Sequence, residues 1–178
     1  PHDGFVPLGT IAPRTNQAPR LDIRAASAAM AEGRDTPTLH GIGRRGWMNE
    51  AVFARLDAFP LGVVEHGGLS DAAATDLISG ARALLFPSFA EGYGLPMAEA
   101  LALGCPVIAS DIPALREVGG DVPEFAPPDD QAGWRRLVED YAQTGSALRA
   151  AQLTRIEGWK APDWAAHFDA ADEAVAIG

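Results

Sequence analysis

Cysteine is nearly absent from this chain: Cys105 is the one example in 178 residues. A lone thiol can form neither an internal disulfide nor a thiolate metal cluster, which excludes a disulfide-stapled scaffold and a zinc module. The cytoplasm is the simplest compartment for such a chain. Long apolar runs are missing as well. None approaches the ~20 residues a membrane-spanning helix needs, and no signal peptide opens the sequence. Positive charge is in deficit, with 14 Lys+Arg against 24 Asp+Glu and a formal charge of −10. That balance repels nucleic acid and anionic membranes at long range. It leaves room for a small anion, because a few local donors can hold a phosphate against a negative background. No metal-ligand spacing occurs, and no resident metal or other cofactor is expected.

What the chain does have is core material. At 47% hydrophobic and 21% charged residues it has the composition of a globular domain, long enough for one well-buried core. It begins at Pro1 and enters an apolar segment almost at once, as a piece of a longer protein would.

Short apolar runs ending at glycine or proline alternate with longer helical stretches. The runs at 4–9 (GFVPLG), 38–43 (TLHGIG), 62–67 (GVVEHG), 83–88 (ALLFPS), 105–110 (CPVIAS) and 124–127 (EFAP) read as six strands, the last one weak. Helices are expected at about 17–31, 49–57, from Ser70 as N-cap, at 96–103, and at about 131–143, 146–158 and 163–176. Alternation of this kind builds βαβ units. The expected fold is therefore α/β, a Rossmann-like, doubly wound parallel sheet of about six strands. In the common order 3-2-1-4-5-6, strands one and four are neighbours, and ligands bind in the crevice outside their carboxyl ends. Two loops should line that crevice, 10–16 and 88–95.

The second of these loops opens the stretch FAEGYGLPMAEALALGCPVIASDIPALREVGGD. Gly92 and Gly94 permit positive φ and a close approach of backbone to a ligand. Pro96 suits the first helical position. The free amides of this turn and the helix dipole would then face the crevice, with Glu99 in the first turn and Glu91 just outside it. Carboxylates beside such a turn are poor phosphate ligands but good acceptors for sugar hydroxyls. The bland reading is a solvated glutamate pair beside an ordinary turn.

The same stretch resembles the E-x7-E signature of retaining glycosyltransferases of the GT-B fold, glycosyltransferase family 4. The likeness runs almost continuously through FPSFAEGYGLPMAEALALGCPVIASDIPALREVGGD, and extends to GTIAPRTN, LHGIGRRGW, VVEHGGLSD and ARALLFPS. It covers residues from about 5 to 140. It implies that the chain is the C-terminal, donor-binding half of such an enzyme, with helices at about 146–178 packing back and an N-terminal acceptor domain elsewhere. Glu91 is the implied catalytic residue, orienting the transferred sugar rather than serving as base or nucleophile. Glu99 would hold the ribose. The amides of Gly92, Tyr93, Gly94 and Leu95 would approach the sugar and diphosphate, and His66 to Leu69 would lie near the base. Arg14 would neutralise the diphosphate. The implied partners are a nucleoside-diphosphate sugar, a glycan or lipid-linked acceptor and the protein's own N-terminal domain. The implied site of action is the cytoplasm, with peripheral attachment at the inner face of the membrane through that domain. The likeness of Arg45–Trp47 to bacterial surface-polysaccharide enzymes, mannosyltransferases included, makes GDP-mannose and UDP-hexoses the first donors to try.

One departure stands out. The family commonly reads Arg-Lys-Asn where this chain has Arg14-Thr15-Asn16, and the lysine supplies a point charge on the departing diphosphate. Thr15 therefore motivates a second reading, a glycosyltransferase-like binding or scaffold module without catalysis. Among the other residues, His66 fits either a base neighbour or a satisfied strand-end histidine, and His40 reads as structural. Cys105 reads as a core residue and Arg116 as a partner for surface groups. Arg44 and Arg45 read as solvated, and Trp164 with Phe168 as a packing face.

Overall fold

The structure is a computed structural model, and it describes residues 2, 4–7, 38–42 and 63–161. The expected helices at 17–31, 49–57 and 163–176 lie outside the described residues, as do Arg14, Thr15, Arg44 and Arg45.

Six strands form one sheet: β1 (Phe5–Pro7), β2 (Leu39–Ile42), β3 (Val63–His66), β4 (Ala83–Phe86), β5 (Val107–Ser110) and β6 (Glu124–Ala126). Every pairing is parallel, as expected from the alternation, and the order is the common one, β3-β2-β1-β4-β5-β6. Five described helices accompany it: α1 (Asp71–Ser79), α2 (Leu95–Ala102), α3 (Pro113–Gly119), α4 (Gln131–Ala142) and α5 (Ala147–Glu157). α3 was not expected. Its signals are present in the sequence, a proline in the first turn and Leu115 and Val118 three apart on a buried face.

The central strands are buried on both faces, so they read as continuous apolar runs rather than alternating ones. ALLF of β4 and VIAS of β5 are buried at every position. Val6, Leu84, Phe86, Val107 and Ala109 pack on one face with Met97, Ala100 and Leu101 of α2, Leu115 and Val118 of α3, and Ile156 of α5. Phe5, Leu39, Ala83, Leu85, Ile108 and Ala126 pack on the other with Trp134, Val138 and Tyr141 of α4. The spacing of those three, four and then three residues, is the stripe of one helical face. Burying Trp134 requires a partner for its indole N–H, and the Pro127 carbonyl accepts it at 3.0 Å.

Helix α2 ends in a left-handed glycine. Gly104 has φ 74°; its N–H donates to the Leu101 carbonyl, and that of Cys105 to the Ala100 carbonyl. This two-bond closure reverses the chain directly into β5.

At the amino ends of the strands a buried amide ties the layers together. Gln152 of α5 is fully buried. Its Oε1 accepts from the Val107 amide and the Tyr141 hydroxyl, both at 3.0 Å. Its Nε2 donates to the carbonyls of Val107 at 2.7 Å and Val122 at 3.0 Å. Beside it, Arg155 donates to the Val122 carbonyl and pairs with Glu124. Burial raises the Tyr141 hydroxyl well above its ordinary pKa, so that hydroxyl remains a donor.

Candidate functional site

In an all-parallel sheet every strand ends at the same edge. β1 and β4 are paired in register, Phe5 with Ala83, Val6 with Leu84 and Pro7 with Leu85, and the strand order reverses between them. The carboxyl ends of these two strands therefore lie side by side, at the position where doubly wound folds hold ligands.

The loop after β4 is built on a fixed start. Ser88 is 1% exposed and its amide donates to the Phe86 carbonyl. Its hydroxyl donates to Oε1 of Glu91 at 2.7 Å, within the range of charge-assisted bonds. Glu91 is half-buried. Sequence reasoning missed this pair, although the two residues lie only three apart in the chain.

The turn itself needs one of its glycines for conformation and the other for access. Gly94 is the N-cap of α2 with φ 91°, and a Cβ there would lie 2.4 Å from Cδ2 of Leu115. Gly92, against expectation, does not have a positive φ. It is exposed, with nothing within 4 Å of where a Cβ would stand, so a ligand can reach its backbone. The helix also begins one residue early. Leu95 takes the first position and Pro96 the second, which moves Glu99 out of the first turn and into the next. Met97 and Ala98 donate to the Gly94 carbonyl and Pro96 has no N–H. The helix provides no acceptor for the amides of Gly94 and Leu95, and with no acidic residue in its first turn the positive end of its dipole is unneutralised. Tyr93 is half-buried against the core. Glu99 is exposed and has no hydrogen-bond or ion-pair partner among the described residues.

The third crevice element is the end of β3. Oε1 of Glu91 belongs to the loop after β4, and three inter-strand spacings of about 4.8 Å, roughly 14 Å in all, separate β4 from β3. There Nε2 of His66 lies 3.1 Å from Nδ1 of His40, with the rings stacked at 5.4 Å. The His2 ring meets His40 edge-on at 4.8 Å. His2 is itself held, with Nε2 3.0 Å from the Leu77 carbonyl and Nδ1 accepting from the Gly4 amide. Burial, then the neighbouring His2 and His66, lower the pKa of His40. Beyond His66, Gly68 is left-handed and Leu69 half-buried, before Ser70 caps α1 through the Ala73 amide.

Two sequence readings away from the crevice hold. Arg116 makes a bidentate pair with Asp111, at 2.8 and 3.0 Å, and lies 4.0 Å over the Phe125 ring; it also holds the Asp111 carboxyl below its ordinary pKa. Cys105 is buried, its thiol pushed up to about 12 by burial, which removes it as a nucleophile. Among the described residues no group of His, Cys, Asp and Glu could hold a metal, and no helix is long and apolar enough to cross a membrane. Two open hollows of about 600 and 580 Å³ flank Trp159 at the other end of the sheet, away from the glycine turn.

This architecture defines a doubly wound α/β domain with its open turn at the switch point. More narrowly, the chain belongs to the family of glycosyl transferases group 1, whose model matches residues 4–144. Among curated relatives, it is 34% identical over 125 residues to O-antigen chain mannosyltransferase B of Escherichia coli, covering 69% of this chain and 32% of that one. It is 30% identical over 140 residues to serotype-specific mannosyltransferase WbdA of Escherichia coli, covering 77% of this chain and 17% of the other. With O-antigen chain mannosyltransferase RfbU of Salmonella typhimurium it shares 40% identity over 72 residues, 40% of this chain and 20% of that protein. The chain thus spans about a sixth to a third of the length of these relatives. Among solved structures, TarM superposes with a TM-score of 0.71 at 14% identity, over 86% of this chain and 31% of TarM. The pneumococcal O-GlcNAc transferase GtfA, in complex with UDP and GlcNAc, gives 0.63 at 16% identity, over 87% of this chain and 32% of GtfA. At such identities these two likenesses speak to the fold.

Proposed function

We propose that this chain is the donor-binding domain of a retaining glycosyltransferase that moves a hexosyl unit, mannosyl first among the candidates, from a nucleoside diphosphate to a hydroxyl acceptor. The observation that carries the reading is the glycine turn: Glu91, the open Gly92 backbone, and the amides of Gly94 and Leu95 stand at the carboxyl end of β4, directly beside β1. In this reading the amides and the helix dipole hold the diphosphate, Glu91 accepts from sugar hydroxyls, and Glu99 accepts from the ribose. The roughly 14 Å to the end of β3 suits the reach from sugar to base, with His66 and Leu69 as neighbours of the base. Arg14 would add positive charge from the loop after β1.

The chemistry breaks the bond between the anomeric carbon and a diphosphate oxygen and forms one from that carbon to the acceptor oxygen. The acceptor proton passes to the departing diphosphate. Donors already aimed at the leaving oxygen stabilise its charge without rearranging. The printed names of the relatives favour mannose and an O-antigen-type glycan acceptor, and the complex of GtfA with UDP keeps uridine donors in view. The acceptor site, attachment to the inner face of the membrane and full turnover would belong to an N-terminal domain.

Calorimetric titration of the full-length protein with GDP and UDP tests the reading. One of them should bind, and Glu99→Ala should weaken it about tenfold, the loss of roughly one charge-assisted hydrogen bond. A folded protein that binds neither diphosphate would instead favour the non-catalytic scaffold.

A further inference from the structure

We infer that Ser88 is a positioning residue for the sugar subsite: its buried hydroxyl fixes the rotation of the Glu91 carboxylate and so sets which sugar hydroxyls that carboxylate can accept. This rests on the donor-site reading above and goes beyond it, because that reading assigns Ser88 nothing.

The two residues differ in how firmly the fold holds them. Ser88 is almost completely buried and follows Pro87, also buried, at the end of β4. Its amide is spent on the Phe86 carbonyl, so its Cβ direction is set by the sheet. Glu91 lies three residues on, in the loop, and its terminal torsion is intrinsically broad and two-fold. A single hydroxyl donor at 2.7 Å removes that freedom. A serine hydroxyl has one proton; given to Oε1, it marks that oxygen as the anchored one. Oε2 has no protein partner among the described residues and is left to accept from a ligand. An unanchored carboxylate would have to be oriented by the sugar itself, at a cost in affinity and in the precision with which the anomeric carbon is presented.

The position makes a sharp distinction possible. Among the described residues the Ser88 hydroxyl hydrogen-bonds to Glu91 and not to the turn amides, the Leu95 end of α2 or Glu99, so its loss should register on the sugar and not on the nucleoside diphosphate. The experiment is calorimetric titration of the full-length protein with two matched pairs, GDP against GDP-mannose and UDP against UDP-glucose. The readout is the ratio of the two dissociation constants within the pair that binds. Ser88→Ala should raise the ratio of sugar nucleotide to diphosphate about tenfold while the diphosphate constant stays within about twofold. Ser88→Thr, which keeps a hydroxyl, should restore the ratio. Ser88→Cys, close to serine in size but a weak donor, should behave like alanine, and it serves as the probe should the alanine variant fail to fold.

An unchanged ratio in folded Ser88→Ala or Ser88→Cys overturns the role of Ser88 and leaves the donor site standing. Equal weakening of both ligands, together with a lowered melting temperature, assigns Ser88 to the scaffold alone and also overturns it. Failure of the unaltered protein to bind either diphosphate overturns the donor-site reading, and the role of Ser88 with it.

Discussion

The two ends of this sheet are built by opposite rules. At the amino end, a buried amide and a half-buried guanidinium are matched. Gln152 is fully enclosed and both of its amide atoms are used twice, while Arg155 is tied to Val122 and Glu124. At the carboxyl end, donors and acceptors are left over. Glu99 is exposed, Leu95 is 50% and Phe89 52% exposed, and the space before Gly92 is open. There, the Ser88–Glu91 bond organises a single carboxylate. A buried unmatched polar group costs stability, whereas an exposed one costs little and can be matched by a ligand. Stability is concentrated at one end so that the other can remain unsatisfied.

The largest effect should come from the amino end. Gln152→Ala strips partners from Val107, Val122 and Tyr141 in a buried setting and leaves a cavity, at a cost of about 3–5 kcal/mol in urea unfolding. Diphosphate affinity of the protein that remains folded should be unaltered. A loss of affinity with little loss of stability would erase the distinction between the two ends. Gly94→Ala sits on the boundary. It forces an L-residue into left-handed backbone and a methyl group against Leu115, for about 2–3 kcal/mol, and it should also weaken the diphosphate by displacing the first turn of α2. If affinity survived intact, the turn amides would not be ligand donors.

A smaller, pH-dependent effect belongs to the histidines under β3. The folded-state pKa of His40 lies below its ordinary 6.5, so the unfolded chain takes up the proton first. The stability this group contributes is complete above about pH 7 and is lost as pH falls from about 6.5 toward its lower folded value. The groups facing it are His2 and His66, and the carbonyl of Leu77 holds His2 in place. His40→Gln should flatten the loss of stability that sets in as pH falls below about 7. A profile unchanged in that variant would remove His40 as the group responsible.

The topology was legible in the sequence because it depends on local patterns. Apolar runs punctuated by glycine and proline located all six strands, each within three residues of its observed limits, and alternation with helices fixed the parallel order. Details of the site were less legible because they depend on contacts between distant residues. Gly94 is needed partly because of Leu115, on a different helix. His66 is engaged by His40 across two strands, and His2 by Leu77, 75 residues away. The start of α2 shifted by one residue because Gly94, not Leu95, supplied the cap, and that moved Glu99 from the fourth helical position to the fifth, just past the first turn. Ser88 was the exception, a partner within reach of Glu91 in sequence that was passed over because the glycine turn drew the reading to itself.

Backbone hydrogen exchange of the full-length protein, with and without the diphosphate that binds, tests the central claim most directly. Protection should rise across 66–70 and 88–99, at the carboxyl ends of β3 and β4, and stay level across 145–161. Protection confined to the segment around Trp159 and Gln152, with 88–99 unchanged, would put the ligand at the wrong end of the sheet and contradict the account.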